Sequence, residues 1–244
     1  MTRALLTTLL AGLLLTSAVH AETVNVAVAA NFTRVAEELA PLFVAASGHD
    51  VSYSFGATGQ LYNQISQGAP FELFLAADDE RPSKAVEEGF GVDGTVFTYA
   101  IGALALYSTT LDLADGKAVL EGGGFDKLAI ADPAAAPYGR AAAEAIAALG
   151  LTGAITPKLV TGENISQTLQ FIESGNAELG FVAASQVVGK SSVWIVPAAL
   201  FEPIRQNAVL LKTGQANPAA TAYIDFLRSD AAVAVIEAAG YVVE

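Results

Sequence analysis

Val24-Asn25-Val26-Ala27-Val28-Ala29, followed at once by Ala30-Asn31-Phe32-Thr33, decides the fold. The first six residues have the apolar, β-branched character of a strand, and the next ones open a run with Phe32, Val35, Leu39, Leu42 and Phe43 at helical spacing. Asn31 is placed to cap that helix, read over 33–46, and Gly48 to stop it. A strand that feeds straight into a helix is the building unit of a mostly parallel sheet covered by helices.

Downstream the alternation continues. Strands are predicted over 51–54 and 73–76, the second (Leu73-Phe74-Leu75-Ala76) apolar on both faces, with helices over 59–67 and 82–88. The apolar run Ala100 to Tyr107 marks the entry to a second lobe. There strands at 128–131, 158–160 and 179–182 alternate with helices at 140–149 and 166–174. Pro203 to Leu211 carries the chain back, and helices from Asn217-Pro218 to Leu227 and over 231–239 close it. The expected fold class is α/β with two lobes, each a mostly parallel sheet flanked by helices. Lobe I comprises 22–99 and 205–244, lobe II 100–204, and two hinge crossings frame a cleft.

Upstream of Val24 the chain has the layout of a secretory signal peptide: Arg3, an apolar stretch from Ala4 to Leu15, then Ser17-Ala18-Val19-His20-Ala21 with small residues at the −3 and −1 positions. Cleavage is expected after Ala21, giving a periplasmic protein. No other run is long and apolar enough for a membrane helix, so a soluble mature protein is expected. There is no cysteine, which excludes disulfides and thiolate metal sites. The formal net charge of −13 argues against nucleic acid and anionic lipid as partners, both of which need clustered cations. A small anion is not excluded, since local dipoles set its affinity and long-range repulsion is screened beyond ~8–10 Å.

The residue inventory disfavours most enzymes. His49 is the only histidine after the leader and, at the end of the first helix, is expected on the surface. The chain has no His-Glu-x-x-His, no Gly-x-Ser-x-Gly and no phosphate-binding loop of the Walker type. Glu37-Glu38 and Glu87-Glu88 read as solvated helix surface, whereas Asp78 follows a buried strand and is expected to cap or orient a loop.

What remains is anion chemistry at strand-to-helix junctions, where helix N-termini present unpaired amides. Asn31 offers a side-chain amide, Thr58 in Gly56-Ala57-Thr58-Gly59 a hydroxyl, and Tyr138 in Pro137-Tyr138-Gly139 a phenol from the second lobe. The nearest cations, Arg34 and Arg140, are expected to point away by helical position. Neutral donors suit a fully ionised dianion, which only accepts hydrogen bonds.

At these residues the chain resembles the periplasmic molybdate-binding receptors of ABC importers, over essentially its whole mature length. The resemblance is carried by Ala29-Ala30-Asn31-Phe32, by Gln67-Gly68-Ala69-Pro70-Phe71-Glu72-Leu73-Phe74-Leu75-Ala76-Ala77-Asp78, by Asp132-Pro133 with Pro137-Tyr138-Gly139, and by Glu163-Asn164-Ile165. It implies the type II periplasmic-binding-protein fold and an oxyanion, molybdate or tungstate, held between the lobes by Asn31, Thr58, the Ala77 backbone, Tyr138 and the Ile165 backbone. It implies no cofactor, no direct metal-ion ligand, no catalysis, an ABC permease as partner and a monomeric receptor. Members often have Ser at the positions of Asn31 and Thr58 and Val at that of Ile165, and some add a tyrosine where this chain has Ala183. Sulfate, phosphate or chromate, an enzyme on the same scaffold, and a sensor of a protein partner remain the competing readings.

Overall fold

A computed structural model describes residues 20–244; the proposed leader, apart from its last two residues, lies outside them. Strand β1 (Thr23–Ala29) passes through a short 3-10 turn (Ala30–Phe32) into helix α1 (Thr33–Ser47). The pattern repeats as β2 (Asp50–Gly56) and α2 (Thr58–Ser66), then β3 (Leu73–Leu75) and α3 (Glu80–Glu87), before β4 (Phe97–Gly102). After a single residue, Ala103, the second half begins with β5 (Leu104–Ser108) and α4 (Gly116–Gly122). It continues through β6 (Leu128–Ala131), α5 (Pro137–Ala148), α6 (Thr152–Ile155), β7 (Leu159–Gly162), α7 (Ile165–Glu173), β8 (Leu179–Ala183) and β9 (Val193–Ile195). Strand β10 (Ile204–Leu210) returns to the first sheet, and α8 (Pro218–Leu227) and α9 (Asp230–Ala238) complete it.

The result is two five-stranded sheets with matching layouts, β2-β1-β3-β10-β4 and β7-β6-β8-β5-β9. In each, three strands are parallel and the fourth is antiparallel to both its neighbours. The sheets are therefore mixed, and the two-lobed α/β architecture stands. The apolar run Ala100 to Tyr107 is not one strand. It divides at Ala103, and the two pieces join different sheets.

Helix α1 buries Val35, Ala36, Leu39 and Phe43 against the sheet and the C-terminal helices, while Leu42, at compatible spacing, stays 39% exposed. Phe43 meets Tyr223 edge-on at 4.9 Å between ring centroids, and Phe32 meets Tyr99 at the same separation. Each large apolar side chain removed from water contributes roughly 1.5–3 kcal/mol, so these contacts fix where α1 starts relative to β1. Gly48 ends α1 at φ 73° with its N–H on the Val44 carbonyl, as expected.

Two local expectations are corrected. Asn31 does not cap α1: the N-cap position falls to Phe32 and carries no side-chain cap, because the 3-10 turn shifts the helix start. His49 is buried, with Nδ1 accepting the Glu22 N–H at 3.2 Å, because the chain entering β1 covers the end of α1. Helix α4 and strand β9 were not anticipated. Their mutual packing depends on Gly116, whose missing Cβ leaves room for the Trp194 ring.

Candidate functional site

The carboxyl ends of β1, β2 and β3 face the N-termini of α5 and α7 across the gap between the lobes. There lies a small cavity of about 10 Å³. Lobe I lines it with Ala29, Ala30 and Asn31, with Gly56, Ala57 and Thr58, and with Ala77; lobe II lines it with Ala136, Pro137, Tyr138, Asn164 and Ile165. All five residues singled out from the sequence, Asn31, Thr58, Ala77, Tyr138 and Ile165, therefore meet in one place.

Their local geometry explains what each offers. Thr58 and Ile165 are the first residues of α2 and α7, so their amides have no intrahelical acceptor. Asn164 caps α7, its Oδ1 accepting from both Ser166 and Gln167 N–H at 3.0 Å, which leaves the Ile165 amide facing the cavity. The Ala77 N–H donates to Thr58 Oγ1 at 3.0 Å. Pro137 starts α5, and Gly139 lets that helix press on the end of β6, where any Cβ would overlap the Ala131 carbonyl. Tyr138 is thereby carried deep between the lobes, 2% exposed, and burial first, then the neighbouring Tyr241 and Tyr99, hold its phenol well above the ordinary value. It is a protonated donor at neutral pH.

Behind these residues lies a polar layer. Asn31 Nδ2 donates to Gln206 Oε1 at 2.8 Å and to Tyr241 Oη at 2.9 Å, so both of its protons are committed inward. Gln206 Nε2 donates to Tyr138 Oη at 3.1 Å. Gly102, at the end of β4, is required here because a Cβ would overlap the Tyr138 hydroxyl and the Gln206 amide. Gln206, Tyr241 and Gly102 were not identified from the sequence, since nothing local marks them.

The nearby cations are all engaged elsewhere. Arg34 pairs with Glu38 at 2.7 Å and donates to the Ser185 carbonyl at 3.2 Å. Arg140 pairs with Glu80 at 3.4 Å and lies in an adjoining recess with Asp78, Glu144, Glu202 and Arg205. Arg81 pairs with Asp78, which is 2% exposed; burial raises the Asp78 pKa and the Arg81 charge opposes it. Asp78 thus orients the start of α3 rather than lining the cavity. Among the described residues no group of three or more His, Asp or Glu is placed to hold a metal ion.

A two-lobed architecture with a small cavity at converging helix N-termini agrees with the family comparison. The model of bacterial extracellular solute-binding proteins matches residues 24–242. The chain belongs to that family.

This solute-binding protein is 53% identical over 220 residues to the molybdate-binding protein ModA of Rhodobacter capsulatus, covering 89% of this chain and 87% of the relative. It is 52% identical over 237 residues to the molybdate-binding protein ModA of Azotobacter vinelandii, covering 95% and 94%. Its structure superposes on that of a periplasmic molybdate-binding protein of Azotobacter vinelandii with a TM-score of 0.88 at 38% identity, over 91% of this chain and 99% of the other. No helix among the described residues of this protein is long and apolar enough to cross a membrane.

Proposed function

We propose that this protein is the substrate-binding receptor of an ABC importer for molybdate or tungstate, and that it binds the tetrahedral dianion in the interlobe cavity without chemical change. The observation that carries the reading is that neutral donors converge from both lobes while Arg34, Arg81 and Arg140, the nearby cations among the described residues, are each engaged elsewhere. The Thr58 and Tyr138 hydroxyls and the Ile165 amide supply direct hydrogen bonds. Asn31 and Ala77 act from behind them: the Ala77 N–H holds the Thr58 oxygen, and Asn31 Nδ2 holds Gln206 and Tyr241. Dipoles of this kind bind an anion firmly yet leave no full ion pair to break on release.

The direct cross-lobe bonds support closure around the ion. Gly59 N–H donates to the Ala135 carbonyl at 2.9 Å, Arg81 Nη2 to the Ala134 carbonyl at 3.1 Å, and Ser166 Oγ to the Ala30 carbonyl at 3.1 Å. The lobes hinge at Ala103 and at the return into β10; the boundaries expected at 99/100 and 204/205 move to there because Ala100–Gly102 belong to β4 and Ile204 to β10, both in the first sheet. Ligand shifts the population toward the closed form, which a membrane permease reads. The protein acts as a monomer in the periplasm after removal of residues 1–21, and it needs no cofactor.

The test is thermal unfolding of the dialysed mature protein with molybdate, tungstate, sulfate, phosphate and chromate. A ligand at ~100 times its Kd adds ~2.7 kcal/mol of stability. Stabilisation by molybdate and tungstate above the others is expected; none by any oxyanion would refute the receptor role.

A further inference from the structure

We infer that Gln206 is a specificity-determining residue: its side-chain amide locks the Tyr138 hydroxyl as a donor toward the cavity and so disfavours tetrahedral anions that carry a proton. The role depends on the oxyanion binding proposed above.

Gln206 is completely buried on β10, where the chain returns from lobe II to lobe I, and a register irregularity between Gln206 and Asn207 interrupts the pairing with β4 there. Such irregularities re-aim a side chain out of its regular alternation. The carbonyl end of the Gln206 amide takes the Asn31 Nδ2 proton at 2.8 Å and a share of the Tyr99 proton at 3.2 Å. The nitrogen end consequently faces Tyr138 and donates to its oxygen.

A phenol has one proton. With its oxygen accepting from Gln206, Tyr138 needs an acceptor for that proton, and Tyr241, the neighbouring hydroxyl that helps raise its pKa, is already filled. Tyr241 Oη already accepts from Asn31 Nδ2 and from Ser185 Oγ, and gives its own proton to the Asn31 carbonyl. The Tyr138 proton is left for the cavity. Thr58 is arranged in the same way: its oxygen accepts the Ala77 N–H, so its proton also points outward. Both hydroxyls of the cavity are thus held from behind by an N–H donor. A fully deprotonated oxyanion satisfies them; an oxyanion with a bound proton brings a donor against a donor.

Two measurements test this, both by calorimetry on the full mature protein. The first compares chromate with hydrogen arsenate at about pH 8, two tetrahedral dianions of nearly equal size that differ by a proton. Chromate is expected to bind the wild type roughly tenfold or more tightly. Equal affinity overturns the inference. The second is a double-mutant cycle with molybdate on Gln206→Met and Tyr138→Phe, with Gln206→Leu replacing Gln206→Met if the latter does not fold. Loss of the Gln206 amide is expected to weaken binding roughly tenfold when Tyr138 is present and by less than about threefold in the Tyr138→Phe background, because the amide acts through that hydroxyl. The same loss in both backgrounds overturns the assignment of Gln206 while leaving the receptor function standing. Failure of the wild type to bind any of these anions overturns both.

Discussion

Ala77 and Thr58, nineteen residues apart, form one donor unit: the Ala77 N–H is bonded to Thr58 Oγ1 at 3.0 Å. Two groups that look independent in the sequence are wired in series, and the hydroxyl at the end of the wire is the one turned to the cavity. The same bond ties the loop after β3 to the first turn of α2, so the carboxyl ends of two strands hold one site.

Thr58→Val keeps the shape of the side chain but removes the oxygen, which leaves the Ala77 amide unpaired and deletes a hydrogen bond to a charged ligand. Such a bond contributes ~1.5–3 kcal/mol, so molybdate affinity should fall at least ~10-fold in calorimetry. Thr58→Ser should bind within about threefold of wild type. Parallel losses in both variants would mean that the methyl group, not the hydroxyl, matters at this position.

Gly102→Ala tests the tight approach at the hinge. The added Cβ would meet the Tyr138 hydroxyl and the Gln206 amide, neither of which has room to move without breaking the polar layer. Overpacking of this kind costs ~1–3 kcal/mol, visible in urea unfolding, and molybdate binding should weaken with it. Gly122→Ala, with nothing within 4 Å of the new atom, is the control and should change stability little.

The strand-to-helix junctions were legible because their signals are local: an apolar strand, a turn with a hydroxyl or amide, then a helical stripe. That is why Asn31, Thr58 and Tyr138 were found together with the strands that place them, whereas Ala77 and Ile165 came from the family resemblance alone. The polar layer behind them was not legible. Asn31 and Gln206 are 175 residues apart, Asn31 and Tyr241 are 210 apart, and only the closed fold brings them into contact. Ala103 was hidden for a different reason: β4 and β5 are both apolar and largely buried, so no periodicity marks the point where one sheet gives way to the other. His49 was misplaced because its helix-end position says nothing of the strand that arrives to cover it.

Arg81 serves two partners, the buried Asp78 beneath it and the Ala134 carbonyl across the cleft. Arg81→Met leaves an unpaired, buried carboxylate, a loss of ~3–5 kcal/mol by the measure of broken buried ion pairs. Adding Asp78→Asn should restore part of that stability without restoring the cross-lobe bond. Stopped-flow dissociation of molybdate should therefore remain faster than wild type in the double variant. Wild-type dissociation there would show that the Ala134 contact has no part in closure.

Alkaline unfolding should be governed by the buried tyrosines. Burial raises Tyr53 to about 12 and holds Tyr99, Tyr138 and Tyr223 well above the usual value of 10.0; Tyr241 is raised for the same reason. In each case the folded state binds the proton more tightly than the unfolded chain, so the stabilisation is fully present below about pH 10 and is lost as pH rises from there toward the folded values. Stability measured by urea should be flat from neutral pH to about 9 and fall steeply above 10. Because Tyr138 and Tyr241 share one hydrogen-bonded layer with Asn31 and Gln206, ionising either breaks the layer, and the tyrosinate absorption should appear together with loss of near-UV dichroism. Tyrosinates titrating one by one from about pH 10 in an intact fold would mean that the interior admits water and that the layer behind the cavity is not closed.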